Sequence, residues 1–208
     1  MKLAILSANG KAGKRIAQEA VRRGHDVTAI VRSENVSAAQ TVLRKDVFEL
    51  TQDDLKDYDA VINAFGAWTE ETLPGHELLA KQLVDALQGT TIPLFIVGGA
   101  GSLYVDAECT QMVMDTPDFP AVYLPVAKAM ADGLNIYRQA PDLKWIYISP
   151  AAEFDVDGPR TGNYQLAGEV FQVNEGGKSY ISYADYAVAV VDLAETSTPL
   201  YGRVSVFS

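Results

Sequence analysis

A glycine-bearing turn between a short apolar run and an amphipathic run opens this chain of 208 residues. Lys2–Leu6 has the length and aliphatic content of a buried strand, and residues 7–13 carry the turn. Residues 14–23 then place their apolar side chains on one helical face. A strand, a tight turn and a helix in that order begin a βαβ unit, so this feature favours a parallel sheet with crossover helices.

The same alternation continues along the chain and predicts the fold class. We expect an α/β, Rossmann-like fold, with a mostly parallel sheet, helices on both faces and a small C-terminal extension on the side where a substrate would bind. Residues 1–208 should form a single domain, because no linker or repeat divides them. Residues 99–125 follow neither period and predict an ordered loop. The predicted strands are 2–6, 27–31, 41–43, 60–64, 94–97, 145–148 and 204–207, and the predicted helices are 14–23, 53–56, 76–87, 127–139 and 183–194.

Composition restricts the functions that such a fold can have. The chain has 17 Lys and Arg against 27 Asp and Glu, so we expect no nucleic-acid partner, since phosphate backbones are bound by clustered cations. Cys109 is the single cysteine, which predicts no disulfide, no thiolate metal site and a reducing compartment. No run approaches the roughly 20 apolar residues that span a bilayer. We therefore expect a cytoplasmic protein without a membrane partner.

The turn over residues 7–13 has a definite chemical use at the start of a helix. Backbone amides there point toward an incoming anion, and the helix dipole favours negative charge. Gly10 lacks the Cβ that would hold a diphosphate away, and Gly13 lets the helix lie close to the sheet. We predict a dinucleotide diphosphate site, the alternative being a tight turn without a ligand. The predicted contacts are Ser7, Asn9, Gly10, Lys11, Ala12 and Gly13.

Ser7 stands where the usual dinucleotide motif has its first glycine. Serine is small enough for this position if the local φ is negative, and we expect a turn of that kind. The prediction is therefore that the turn survives the substitution and that the strength of cofactor binding is what the substitution could change.

Arg32 follows the second strand, where dinucleotide sites usually place an acidic residue that accepts hydrogen bonds from a ribose hydroxyl. An arginine at this position can instead pair with a 2′-phosphate. The sequence thus favours NADPH over NADH, and Lys11 adds a second positive charge nearby. The alternative is that Arg32 is a solvated residue at a strand end.

Several segments together resemble the atypical short-chain dehydrogenase/reductases. The resemblance is strongest to the NAD(P)-binding proteins named as NADH-flavin reductases, relatives of biliverdin reductase B and the NmrA-like proteins. It covers most of the chain. The segments that carry it are residues 2–13, 31–32, 63–67, 97–103, 149–151, 158–164 and 182–187.

This resemblance implies further site residues. Ser102 would face the nicotinamide, and Lys128 is assigned to cofactor binding. Open α/β sheets bind ligands beyond the carboxyl ends of their strands, which is where these segments lie. The other implied contacts are Asp46 and Val47 at the adenine, Ala64, Phe65 and Gly66 through the backbone, and Pro150 and Ala151 in the nicotinamide pocket.

The catalytic pattern of typical short-chain dehydrogenases is missing. Those enzymes supply a proton from a tyrosine four residues before a lysine, whereas Leu124 precedes Lys128 by four and Tyr123 by five. Tyr123 is a candidate proton donor, the alternative being a packed or loop-anchoring tyrosine. Ser102 is a candidate hydrogen-bond donor to the acceptor or the carboxamide, the alternative being a turn hydroxyl.

A flavin or quinone needs less acid catalysis than a ketone, because the charge that arrives with the hydride is delocalised. The sequence therefore predicts an NAD(P)H-dependent oxidoreductase that reduces a flat acceptor, a quinone or a diffusible FMN or FAD. Trp68 could form a wall for that acceptor or simply pack. The alternative function is a non-catalytic NADP(H) sensor of the NmrA-like kind, and an epimerase is disfavoured by the missing tyrosine. The oligomeric state is open, a homodimer included.

Overall fold

Parallel strands joined by helices make up the first two thirds of the chain. The computed structural model describes residues 1–196 and 201–208. Each apolar run of the sequence becomes a strand whose side chains are almost all buried, as expected for a sheet covered on both faces. The elements in this part are β1 Lys2–Leu6, α1 Lys11–Arg22, β2 Asp26–Val31, β3 Thr41–Arg44, α2 Gln52–Leu55, β4 Ala60–Asn63, α3 Gly75–Leu87, β5 Leu94–Val97 and α4 Leu124–Arg138.

The last third adds two long strands, a helix and three short strands. The short strands have three residues each, too few for an alternating pattern to be visible in the sequence, and the predictions above missed all three. The elements are β6 Trp145–Pro150, β7 Glu153–Asp155, β8 Gln165–Ala167, β9 Tyr180–Ser182, α5 Tyr183–Glu195 and β10 Tyr201–Phe207.

The strands form one eight-stranded sheet in the order β3-β2-β1-β4-β5-β6-β10-β8, with β7 and β9 paired separately. Every pairing in the large sheet is parallel except that of β8 with β10. The fold is the predicted α/β, Rossmann-like one. Strand order reverses between β1 and β4, so a crevice opens at the carboxyl ends of these two strands.

Two apolar layers hold the sheet between its helices. Alternate side chains of β1, Leu3 and Ile5, pack with α1 and α5, whereas Ala4 and Leu6 pack with α3. This division follows from the two-residue period of a strand. Among the described residues no helix is both long and apolar enough to cross a membrane.

Element boundaries differ from the sequence predictions mainly at the turns. Helix α1 begins at Lys11, three residues before the predicted start, because the turn itself supplies the helix's first residues. Residues 99–123 are irregular as predicted, apart from the short 3₁₀ turns Val113–Asp115 and Ala121–Tyr123, but residues 124 and 125 of the predicted loop already belong to α4. The Tyr104 amide donates to the Glu169 carbonyl over 2.9 Å, which holds this loop against the C-terminal segment.

Candidate active site

The turn after β1 has the backbone geometry of an anion site. The Ser7 amide donates to the Ile30 carbonyl at 3.0 Å, and the Ser7 carbonyl accepts from the Gly10 amide at 2.9 Å. Ser7 has a φ of 55°, in the left-handed region, so the expectation of a negative φ was wrong. The tight reversal requires this conformation, which serine adopts at a cost of about 1 kcal/mol.

Gly13 is required for helix α1 to lie this close to the sheet. A Cβ on Gly13 would lie 2.5 Å from the Ser7 carbonyl oxygen and 2.8 Å from the Ala8 Cα. Both are backbone atoms, so no side chain could move aside. At Gly10 a Cβ would be 3.2 Å from the Ser7 oxygen and 3.9 Å from the Ala64 oxygen, which places the turns after β1 and β4 side by side.

Among residues 1–196 and 201–208, no side chain caps the first amides of helix α1. Its N-cap is Gly10, which has no side chain to accept from them, and its first turn contains Lys11 and Lys14 but no acidic residue. Lys11 is exposed and Ala12 half-buried. Free amides, a positive dipole end and two cations fit a diphosphate.

Asn9 uses its side chain to join this turn to the loop after β2. Its Nδ2 donates to the Glu34 carbonyl at 2.8 Å, and its Oδ1 accepts from the Val36 amide at 2.8 Å. Asn9 thus fixes the shape of the turn next to Arg32.

Arg32 lies just beyond β2 with 76% of its side chain exposed. Its Nη1 is 3.7 Å from Oδ2 of Asp46, a loose contact that leaves the guanidinium's hydrogens free to bind a phosphate. Asp46 caps the 3₁₀ turn that contains Val47, its Oδ1 accepting from the Phe48 amide at 3.1 Å. The structure therefore brings Arg32 and Asp46 together at the carboxyl ends of β2 and β3.

The turn after β4 is held from below by Asn63 and from the side by His76. Asn63 Oδ1 accepts from the Phe65 amide at 3.0 Å, and the Ala64 amide donates to the Leu6 carbonyl at 3.2 Å. His76 Nε2 lies 3.2 Å from the Ala67 carbonyl oxygen. Burial lowers the pKa of His76, so its imidazole is neutral at pH 7.

Beyond this turn the aromatic side chain of Trp68 stands in solvent. The residue is 69% exposed, so within this single chain Trp68 does not have the packing role that the sequence left open. The exposed Gly66 lies next to it, since a Cβ there would be 3.4 Å from the Trp68 Nε1.

The turn after β5 passes over the side chain of Tyr147. A Cβ on Gly98 would lie 2.2 Å from Tyr147 Cε1, so only glycine fits. Ser102, five residues beyond β5, is buried, and its Oγ accepts from Nη1 of Arg203 at 2.9 Å. Sequence reasoning missed Arg203. The sequence carried no signal for it, because Arg203 lies one residue before the predicted strand 204–207.

The remaining predicted residues lie at two places around the same edge of the sheet. Pro150 and Ala151 are buried at the carboxyl end of β6. Tyr123 ends a 3₁₀ turn directly before α4 and is 53% exposed, so it is not packed. Lys128 is exposed on α4, and no hydrogen bond joins it to Tyr123 in the described part of the chain.

Comparison with known protein families gives the same assignment as the geometry. Residues 7–197 match the NAD(P)H-binding family. The chain belongs to this family. The match begins at Ser7, the first residue of the turn after β1, and extends through α5, so it includes the crevice between β1 and β4.

Similar proteins occur in several bacteria. The crystal structure of a candidate NADH-flavin reductase from Streptococcus pneumoniae is 53% identical, covers 100% of this chain and 99% of that one, and superposes with a TM-score of 0.98. An uncharacterized Bacillus subtilis protein, YwnB, is 48% identical over 94% of this chain and 92% of its own length. A candidate epimerase from Bacteroides thetaiotaomicron is 31% identical, covers 99% and 96% of the two chains, and has a TM-score of 0.85. The family is that of NAD(P)H-binding oxidoreductases.

Proposed function

We propose that this protein is an NADPH-dependent oxidoreductase that reduces a flat conjugated acceptor, a flavin or a quinone. The observation that carries the proposal is the turn over residues 7–13, here named the phosphate turn, together with Arg32. The turn has uncapped amides at the start of α1 and Gly13 packed on the backbone of residues 7 and 8, and Arg32 is exposed at the end of β2 with only a loose contact to Asp46. The bound nicotinamide would supply a hydride. Everything else that the reaction needs must come from the chain or the solvent.

Preference for NADPH follows from the charges around Arg32. Pairing of a guanidinium with a phosphate is stronger than a neutral hydrogen bond and contributes about 1.5–3 kcal/mol. Asp46 lies close enough to orient the guanidinium but accepts no hydrogen bond of normal length from it. The alternative is that Arg32 is an exposed residue at a strand end that contacts no ligand. It predicts equal affinity for NADPH and NADH.

A flat acceptor is supported by what surrounds the crevice. Trp68 offers an exposed aromatic face beside the turn after β4. His76 is neutral and already bonded to backbone, and Tyr123 lacks the lysine spacing of a proton donor. An acceptor that delocalises the arriving charge can take its proton from water, and so needs orientation more than acid catalysis.

The test is NADPH consumption with free FMN, free FAD and a panel of quinones, beside calorimetric titration of NADPH. Turnover on one acceptor class with tight NADPH binding supports the proposal. Tight binding with no turnover on any acceptor would favour the non-catalytic sensor. Lys81→Ala removes an exposed cation on α3, outside the proposed site. It is the control for Arg32→Ala, because both variants remove one positive charge from the surface.

A further inference from the structure

Arg203 is a charged residue with a fully buried side chain on the acceptor side of the sheet. Its Nη1 donates to Ser102 Oγ at 2.9 Å and to the Ser102 carbonyl at 2.8 Å. Its Nη2 donates to the Glu169 carboxylate. Burying a guanidinium costs free energy unless it is fully paired. An apolar side chain would fill the same space without that cost, so the charge of Arg203 indicates a functional role.

The cluster around Arg203 carries an excess of positive charge. Glu169 also accepts from Nη2 of Arg138 at 2.8 Å, so two guanidiniums share one carboxylate. The Arg203 guanidinium further lies 5.7 Å from the centre of the Tyr104 ring, over the loop that follows β5. Ser102 is thus the hydroxyl next to a buried, incompletely neutralised cation.

Further hydrogen-bond donors lie on the same face of the sheet. Ser149 of β6 is paired in register with Ser205 of β10, two residues beyond Arg203. The side-chain oxygens of both serines and Nε of Arg203 are buried without a hydrogen-bond partner among the described residues. Adjacent strands are about 4.8 Å apart, so these groups form one donor-rich patch near the carboxyl ends of β6 and β10.

We propose that Arg203 is a positioning residue which, through Ser102, makes the acceptor site selective for molecules that carry negative charge on an oxygen after reduction. Because Arg203 occupies a lone pair of Ser102 Oγ, the Ser102 proton is left to donate, and a hydroxyl polarised in this way is a stronger donor. This inference rests on the proposed oxidoreductase function and deepens it by naming the group that Ser102 would bind: an acceptor oxygen that carries negative charge.

The chemistry balances without a protein acid. The acceptor gains a hydride, and with it two electrons, as a C–H bond of the nicotinamide breaks and NADPH is oxidised to NADP⁺. A reduced quinone is then an anion with its charge on oxygen, and a reduced flavin is an anion whose charge is shared between N1 and the neighbouring carbonyl oxygen; Ser102 would bind that oxygen through its hydroxyl proton. Solvent water protonates that oxygen on release, so NADPH, acceptor and one proton yield NADP⁺ and the dihydro product.

The test compares binding of an anionic and a neutral ligand to the NADP⁺-loaded protein, so no turnover is needed. The anionic ligand is a hydroxynaphthoquinone that is ionised at neutral pH, and the neutral ligand is its parent naphthoquinone. The affinity of each is measured by calorimetry. Arg203→Gln should weaken the anion about tenfold and leave the neutral ligand nearly unchanged. Glu169→Gln removes the opposing charge and should tighten the anion several-fold.

The sign of the Glu169→Gln effect separates this role from a structural one, which predicts that both variants weaken both ligands. The double variant Arg203→Gln/Glu169→Gln keeps the test usable if the single arginine variant fails to fold. It differs from Glu169→Gln only in lacking Arg203, so it should bind the anion about tenfold more weakly than Glu169→Gln and the neutral ligand about equally. Arg23→Gln is the control, since Arg23 belongs to an ion-pair cluster between α1 and α5. Weaker anion binding in Glu169→Gln, or equal anion affinity in Glu169→Gln and the double variant, would overturn the inference.

NADP⁺ affinity and quinone turnover of the unaltered protein test the proposed function separately. If both are present and the ligand ratio does not respond to Arg203, only the inference about Arg203 fails. If NADP⁺ does not bind, the proposed function itself fails.

Discussion

The proposed phosphate turn, residues 7–13, and the proposed acceptor site around Ser102 are built in opposite ways. The turn is contiguous, and the groups proposed to bind the diphosphate are backbone amides whose placement depends on Gly10 and Gly13. The acceptor side joins Ser102 to Arg203, 101 positions apart, through side chains on a loop and a distant strand. Backbone chemistry is therefore visible in a short motif, whereas a side-chain cluster assembled by tertiary packing is not.

The largest expected effect is on the turn. Gly13→Ala places a Cβ within 2.5 Å of a backbone oxygen, so the helix must move off the sheet. We expect a loss of about 3 kcal/mol in the free energy of unfolding, measured by denaturant titration, and loss of NADPH binding. Gly168→Ala is the control: a Cβ there meets no atom within 4 Å, and stability should change by less than about 0.5 kcal/mol. Equal effects of the two would remove the special role of Gly13.

The helix that carries the turn should also be sensitive to acid. Burial alone would raise the pKa of Glu19, but hydrogen bonds from Arg22, Arg160 and Arg23 outweigh it and hold that pKa well below its usual value. A carboxyl whose folded pKa is lowered stabilises the fold above its unfolded pKa, and this contribution is lost as pH falls.

Unfolding free energy should therefore decline as pH drops below about 4.5, the ordinary pKa of this carboxyl. Glu19→Gln should be about 2–4 kcal/mol less stable at neutral pH, because three guanidiniums lose their shared partner, and its stability should depend less on acid pH. Parallel pH profiles for the two proteins would contradict this assignment.

A smaller effect is expected at Ser7. Because Ser7 has a φ of 55°, Ser7→Gly relieves backbone strain and should stabilise the protein by about 0.5 kcal/mol despite the added freedom of the unfolded chain. Ala38→Gly, at an exposed loop position without a positive φ, should instead destabilise by a similar amount. Thermal unfolding of both variants checks the difference, and destabilisation by Ser7→Gly would argue against strain at this position.

The smallest effect is expected on the acceptor side, at Tyr123. Tyr123→Phe should change turnover with a quinone by less than about twofold, because the proton comes from solvent, whereas loss of a general acid costs about 10²–10⁴-fold. Steady-state rates of the two proteins decide this. A drop of a hundredfold would restore Tyr123 as a proton donor.

Comparison of the two regions also shows how far sequence reasoning reaches. Strands such as β1 and β5 and the phosphate turn follow from apolar periodicity and glycine spacing, which are local properties. The sign of φ at Ser7 was wrong, since it depends on the Ile30 and Gly10 contacts that close the turn. β8 and the burial of Arg203 depend on pairing with distant segments, so no local pattern predicts them.

The central claim is that the start of α1 binds the diphosphate of a dinucleotide while Arg32 selects its phosphorylated form. Calorimetric titration of NADPH and NADH into the unaltered protein and Arg32→Ala tests it most directly. We expect tight NADPH binding that weakens about 10–100-fold in the variant, with NADH affinity nearly unchanged. Absence of binding by either nucleotide, or an equal loss for both in the variant, would contradict the claim.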